Sequence, residues 1–101
     1  MANDVIRPLK RCPSHPGALL SEIIPETGKS KVEIANLLGI SRQQLYDIVS
    51  EKKPVSPNVA ARLGKLFGDG AGVWLRMQAA YDAWQAEQNT DLSAIPTLDV
   101  A

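Results

Sequence analysis

Between Leu37 and Lys53 the chain reads LLGISRQQLYDIVSEKK. Arg42, Gln43 and Gln44 stand side by side directly after Ser41, a residue type that starts helices. Each of the three carries a planar group able to make two parallel hydrogen bonds. A guanidinium matches O6 and N7 of guanine, and a carboxamide matches N6 and N7 of adenine. Tyr46 and Asp47 follow one helical turn later, a spacing that places them on the same face as Arg42 and Gln43. A face needed only for solubility is served by Glu and Lys. This one is polar yet nearly uncharged, and its chemistry is that of reading base edges in a DNA major groove.

Groups suited to phosphate surround it. Ser30 and Lys31 open the preceding segment and Ser41 opens this one, so two helix N-termini offer backbone N–H groups and a positive dipole end to an anion. Lys52 and Lys53 come just after. Singly, each is equally well a plain N-cap or a solvated cation; together they point to a phosphodiester backbone. The formal net charge is zero, with 11 cationic and 11 acidic residues, but it is unevenly spread. Residues 29–65 hold seven Lys or Arg against Glu33, Asp47 and Glu51, whereas residues 66–101 hold only Arg76 against five carboxylates. The middle of the chain therefore suits a polyanion and the C-terminal third a basic partner.

These groups need elements to hold them, and helix punctuation is dense. HPGALLSEIIPETG predicts a helix with Pro16 in its first turn and Leu19, Leu20, Ile23 and Ile24 inward; Pro25 should end or kink it early, with Gly28 closing the segment. SKVEIANLLG predicts a second helix with a Ser30–Glu33 capping box and Gly39 as its exit. Ser41 and Gln44 repeat the box for a third helix through Ser50, with Leu45, Ile48 and Val49 inward and Ile40 plugging the elbow. Ser56 and Pro57 start a fourth, reaching Phe67 before Gly68, with Leu63, Leu66 and Phe67 as core candidates. Gly64 inside that helix suggests close packing by a neighbour. VWLRMQAAYDAWQAEQ is the longest helical segment, and Trp74, Met77, Tyr81 and Trp84 form a stripe broad enough to serve as a dimer or partner surface as well as core. Two short helices joined by a glycine turn, with helices before and after, make an all-α helix-turn-helix layout.

Other classes of function find little support. The 101 residues suit one domain, with 45% hydrophobic and 22% charged residues. The expected organisation is an arm over 1–14, a helix-turn-helix domain over 15–88 with the motif itself at about 30–50, and a tail over 89–101 that lacks periodicity. No apolar run approaches the roughly 18 to 20 residues of a membrane span, and MANDVIRPLKRCPSHPG lacks the apolar core of a secretory signal, so the expected location is cytoplasmic. One cysteine, Cys12, and one histidine, His15, are too few for a structural zinc site. No metal and no cofactor is expected. With no nucleophile signature, phosphate loop or ligand cluster, neither is an enzyme.

SKVEIANLLGISRQQLYDIVSEKK resembles the Cro/C1-type (XRE) helix-turn-helix, and the chain over about residues 14–85 resembles the HigA/VapI antitoxins. SHPGALLSEII, SPNVAARLGKLFG and WLRMQAAYDAW carry the narrower likeness. The resemblance implies a five-helix, lambda repressor-like domain with a longer C-terminal helix. It also implies a homodimer that binds its own operator DNA as a repressor and neutralises a cognate toxin, typically a RelE-like mRNA-cleaving enzyme. A stand-alone regulator without a toxin is the alternative. Glu51 stands where the family usually has glycine, so the turn behind the reading helix is expected to be tighter, strained or differently routed.

Overall fold

The computed structural model describes residues 11–100; residues 1–10, most of the expected N-terminal arm, and residue 101 lie outside the described part. The described residues form five helices and no strand: α1 Pro16–Glu26, α2 Lys31–Leu38, α3 Arg42–Val49, α4 Pro57–Phe67 and α5 Ala71–Asn89. No helix among them is long and apolar enough to cross a membrane.

Every start but that of α5, where the capping residue Gly70 has no side chain, is made by a side chain replacing a missing helical acceptor. Ser30, Ser41 and Ser56 accept from the backbone N–H three residues on, those of Glu33, Gln44 and Val59. At Ser30 the box is complete, because Glu33 Oε1 accepts the Ser30 N–H at 2.9 Å. Ser41 makes a simple cap instead of the expected second box, the Gln44 side chain staying out of it. Gly39 and Gly68 close α2 and α4 with φ of 74° and 82°, in the left-handed region where a Cβ is penalised. α1 ends one residue past Pro25, which sits in the last turn where its missing N–H costs one bond; Thr27 caps it, its Oγ1 donating to the Ile24 carbonyl at 2.6 Å, and Gly28 follows at φ 74°.

One core joins all five helices. Leu20 and Ile24 of α1, Ile34, Ala35 and Leu38 of α2, Leu45 and Ile48 of α3, Val59, Ala60 and Leu63 of α4, and Trp74 of α5 are buried, with Val55 of the α3–α4 connection among them. Ile40 packs against this core from the elbow, half-buried, as do Leu66 and Phe67. Gly64 is where α5 crosses: a Cβ there would collide with the Gly70 and Ala71 backbone. Gly17 plays the same part between α1 and α3, since a Cβ would strike the Ile48 carbonyl. α1 therefore packs directly on the end of the helix that carries the reading residues.

The α5 stripe divides. Trp74 is fully buried, its ring 6.0 Å from Phe67 and its Nε1–H donating to Asp69 at 3.0 Å, so it belongs to the core and not to the partner surface expected for it. Met77, Tyr81 and Trp84 stay half-buried further along. Tyr81 packs edge-on against His15 with ring centroids 4.9 Å apart. His15 is itself buried, its Nδ1 accepting the Gly17 N–H at 2.9 Å as the cap of α1. Beyond Thr90 the described chain has no helix or strand and one turn, and Leu92, Ile95, Leu98 and Val100 are exposed.

Candidate nucleic-acid interface

α3 is anchored by Leu45 and Ile48, both buried to within 1% of full, which turns the opposite face outward. Arg42, Gln43 and Tyr46 are exposed on that surface, Gln44 is half-buried at its edge, and Asp47 is half-buried beside Gln43. The five residues expected to read bases are thus brought onto one helix, with Arg42 and Gln43 at its N-terminal end. They differ in freedom. Asp47 is already engaged: Oδ1 accepts from Gln43 Nε2 at 2.9 Å, and Oδ2 lies 3.5 Å from Lys53 Nζ.

The phosphate candidates divide in the same way. Lys31 reaches from the start of α2 to place Nζ 5.9 Å from the Tyr46 ring centroid, so the two helices of the motif meet on this face. Ser30 has its hydroxyl and N–H committed to the capping box. The Ser30 N–H, then the Ser30 hydroxyl, with Lys29 nearby, hold the Glu33 carboxyl below its ordinary value; a carboxylate already sits at that helix end. Ser41 is exposed, but its hydroxyl caps Gln44. Lys52 is exposed, and Lys53 is exposed but faces Asp47.

Glu51 settles how the chain leaves α3. It takes φ 67°, alone among the described non-glycine residues in being left-handed, and the backbone follows the route a glycine gives. The Glu51 N–H donates to the Ile48 carbonyl at 3.0 Å and the Lys52 N–H to Asp47 at 2.8 Å, the paired bonds of a Schellman exit. The exit is strained in the one dihedral and ordinary in its routing.

Three further contacts support the motif. Arg62 Nη1 donates to the Leu38 carbonyl at 2.9 Å, closing the end of α2 from α4, while its Nε donates to Asn58 Oδ1 at 2.8 Å. Gln78 is buried at 6% exposure, accepts the Val55 N–H at 2.7 Å and donates to Asp82 at 2.9 Å. Gly17 admits α1 to the end of α3. Only Gln78 left a sequence signal: it interrupts the apolar stripe four residues after Trp74, where a polar side chain facing inward must find a buried partner.

A short helix docked across a second by a glycine elbow, with its polar N-terminal half outward, defines a Cro/C1-type helix-turn-helix domain of the DNA-binding class. No protein-family model matches the chain. It is 38% identical over 76 residues to virulence-associated protein I of Dichelobacter nodosus, covering 74% of this chain and 70% of that protein. Among solved structures it is similar to antitoxin HigA of Pseudomonas aeruginosa with the higBA promoter, at 34% identity and TM-score 0.72, covering 75% of this chain and 84% of that one. It is likewise similar to antitoxin GraA in complex with its operator, at 30% identity and TM-score 0.80, covering 92% and 100%. The chain belongs to the HigA/VapI-type family of helix-turn-helix antitoxins and transcriptional regulators, which are not enzymes.

Proposed function

We propose that this chain is the antitoxin of a type II toxin-antitoxin system, a cytoplasmic homodimer that represses its own operator and neutralises a RelE-like mRNA-cleaving toxin. The observation that carries the DNA-binding half is the exposure of Arg42 and Gln43 at the N-terminal end of a helix whose other face is locked in the core. The relatives solved on operator or promoter DNA support the same use here. In a two-fold dimer the two copies of α3 meet a palindrome whose half-sites lie about one helical turn, or a multiple of it, apart. Lys31 and Lys52, with Ser30, Ser41 and Lys53 around them, face the phosphates. The half-buried Met77, Tyr81 and Trp84 supply the surface for a second copy. The acidic C-terminal third and its exposed Leu92, Ile95, Leu98 and Val100 suit a basic toxin.

The test is a mobility-shift titration with duplex taken from upstream of the gene. Arg42→Ala and Gln43→Ala should relax base preference, whereas Lys31→Ala should weaken binding evenly and lower the salt slope by about 1. Binding by the Arg42 and Gln43 variants as selective as the parent's would reject this reading face. For the toxin half, a neighbouring short open reading frame for a basic protein should co-purify with this chain and lose its toxicity on co-expression. Absence of such a frame leaves a stand-alone regulator.

A further inference from the structure

We infer that Asp47 is a positioning residue that, clamped by Lys53, turns the Gln43 carboxamide so that it reads adenine and rejects guanine. The inference rests on the DNA-reading role of α3 and specifies the base that one of its residues takes.

Asp47 and Gln43 are one helical turn apart on the exposed side of α3. The 2.9 Å contact runs from Gln43 Nε2 to Asp47 Oδ1. A carboxylate only accepts, so the amide nitrogen, and not its carbonyl oxygen, must face Asp47. The second carboxylate oxygen lies 3.5 Å from Lys53 Nζ, and the Asp47 side chain is only 14% exposed, so it is held from both sides. Lys53 is brought there by the exit from α3, where its own N–H and that of Lys52 both donate to the Asp47 carbonyl, at 3.1 and 2.8 Å. Backbone and side chain of Asp47 are thereby fixed by the same turn.

The consequence lies in what Gln43 has left to offer. One of its two amide hydrogens is consumed by Asp47; the carbonyl oxygen and one hydrogen remain. That is one acceptor and one donor, the complement of adenine N6–H and N7. Guanine shows two acceptors, O6 and N7, and needs two donors. Gln43 cannot supply both without breaking from Asp47, and its oxygen would face O6. Asp47, tied to Gln43 and Lys53 with its side chain only 14% exposed, acts through Gln43. Lys53, facing a carboxylate, contributes less to phosphate binding than Lys52.

The experiment starts from a site selected by the full chain out of a randomised duplex pool. Each base pair of that site is then replaced in turn and titrated with the parent, Gln43→Ala, Asp47→Ala and the double variant, after thermal melts establish that all are folded. Gln43→Ala should abolish preference at one base pair per half-site. At that same pair the parent should favour A·T over G·C by about tenfold or more, within the range of a bidentate contact. Asp47→Ala should bring the ratio within about threefold, and the double variant should match Gln43→Ala alone, as non-additivity within one network requires. If Gln43→Ala changes no position, the reading role and the inference both fall. If Gln43→Ala acts but Asp47→Ala leaves the A·T preference intact, or alters a different base pair, Asp47 does not position Gln43 and only the inference is overturned.

Discussion

The side-chain oxygen of Gln78, in the middle of α5, accepts the backbone N–H of Val55 at 2.7 Å across 23 residues of sequence. Val55 lies in the connection between α3 and α4, so this bond fastens the segment behind the reading helix to the longest helix of the fold. Both residues are buried, Val55 at 3% exposure and Gln78 at 6%.

Replacing Gln78 by leucine keeps the volume and removes the acceptor. The Val55 N–H is then buried without a partner, at a cost of about 1–3 kcal/mol. Urea unfolding followed by circular dichroism should show the midpoint lowered with the slope unchanged; an unaltered midpoint would mean the connection relaxes to meet solvent.

Glu51 holds a left-handed φ of 67° that glycine adopts freely. Removing its Cβ relieves about 1 kcal/mol of backbone strain, partly offset by the greater freedom of glycine in the unfolded chain. Glu51→Gly should raise the melting temperature, and Glu51→Val, β-branched at the same φ, should lower it. Equal melting of the two variants would show that the exit does not depend on this dihedral.

Gly17 leaves no room for a methyl group against the Ile48 carbonyl, which belongs to backbone and cannot swing aside. Gly17→Ala must therefore push α1 from the end of α3, at about 1–3 kcal/mol as for other overpacked sites. Thermal melts should register the loss, and DNA affinity should fall although residue 17 is remote from the reading face. A variant with parental stability and affinity would contradict the close approach.

The capping box makes one pH dependence explicit. Glu33 is held below its ordinary pKa of 4.5, first by the Ser30 N–H and then by the Ser30 hydroxyl. A depressed carboxyl stabilises the fold above its unfolded pKa and loses that contribution as pH falls through the folded value. Glu33→Gln keeps a hydrogen-bond acceptor but no titration. Its stability should therefore decline less steeply than the parent's over the interval just below pH 4.5. Parallel acid limbs for the two proteins would show that the carboxylate adds nothing there.

Much of the architecture was legible because its signals are local. Ser30, Ser41 and Ser56 cap N–H groups three residues away, and Gly39 and Gly68 close helices through their own φ, so neither depends on distant parts of the chain. The inward positions of Leu20, Ile34, Leu45, Ile48 and Leu63 follow from a period of 3.6, and with them the outward face that carries Arg42 and Gln43. Pro25 precedes the end of α1 by one residue, and Thr27 and the left-handed Gly28 complete the exit, again within a few residues of chain.

The amino-acid sequence by itself therefore determined where helices begin and end, which side of each is apolar, and which side chains could read a base. Tertiary structure alone decided which of those side chains are free to do so. Trp74 is core because Phe67 and Asp69 reach it, the Leu38 carbonyl at the end of α2 is met by Arg62 from α4, and Asp47 is engaged because the exit from α3 carries Lys53 back beside it. The physical reason is range. A cap or an amphipathic stripe is satisfied within a turn or two of chain, whereas a contact between helices depends on their crossing, which is set by how all five faces fill one core at once.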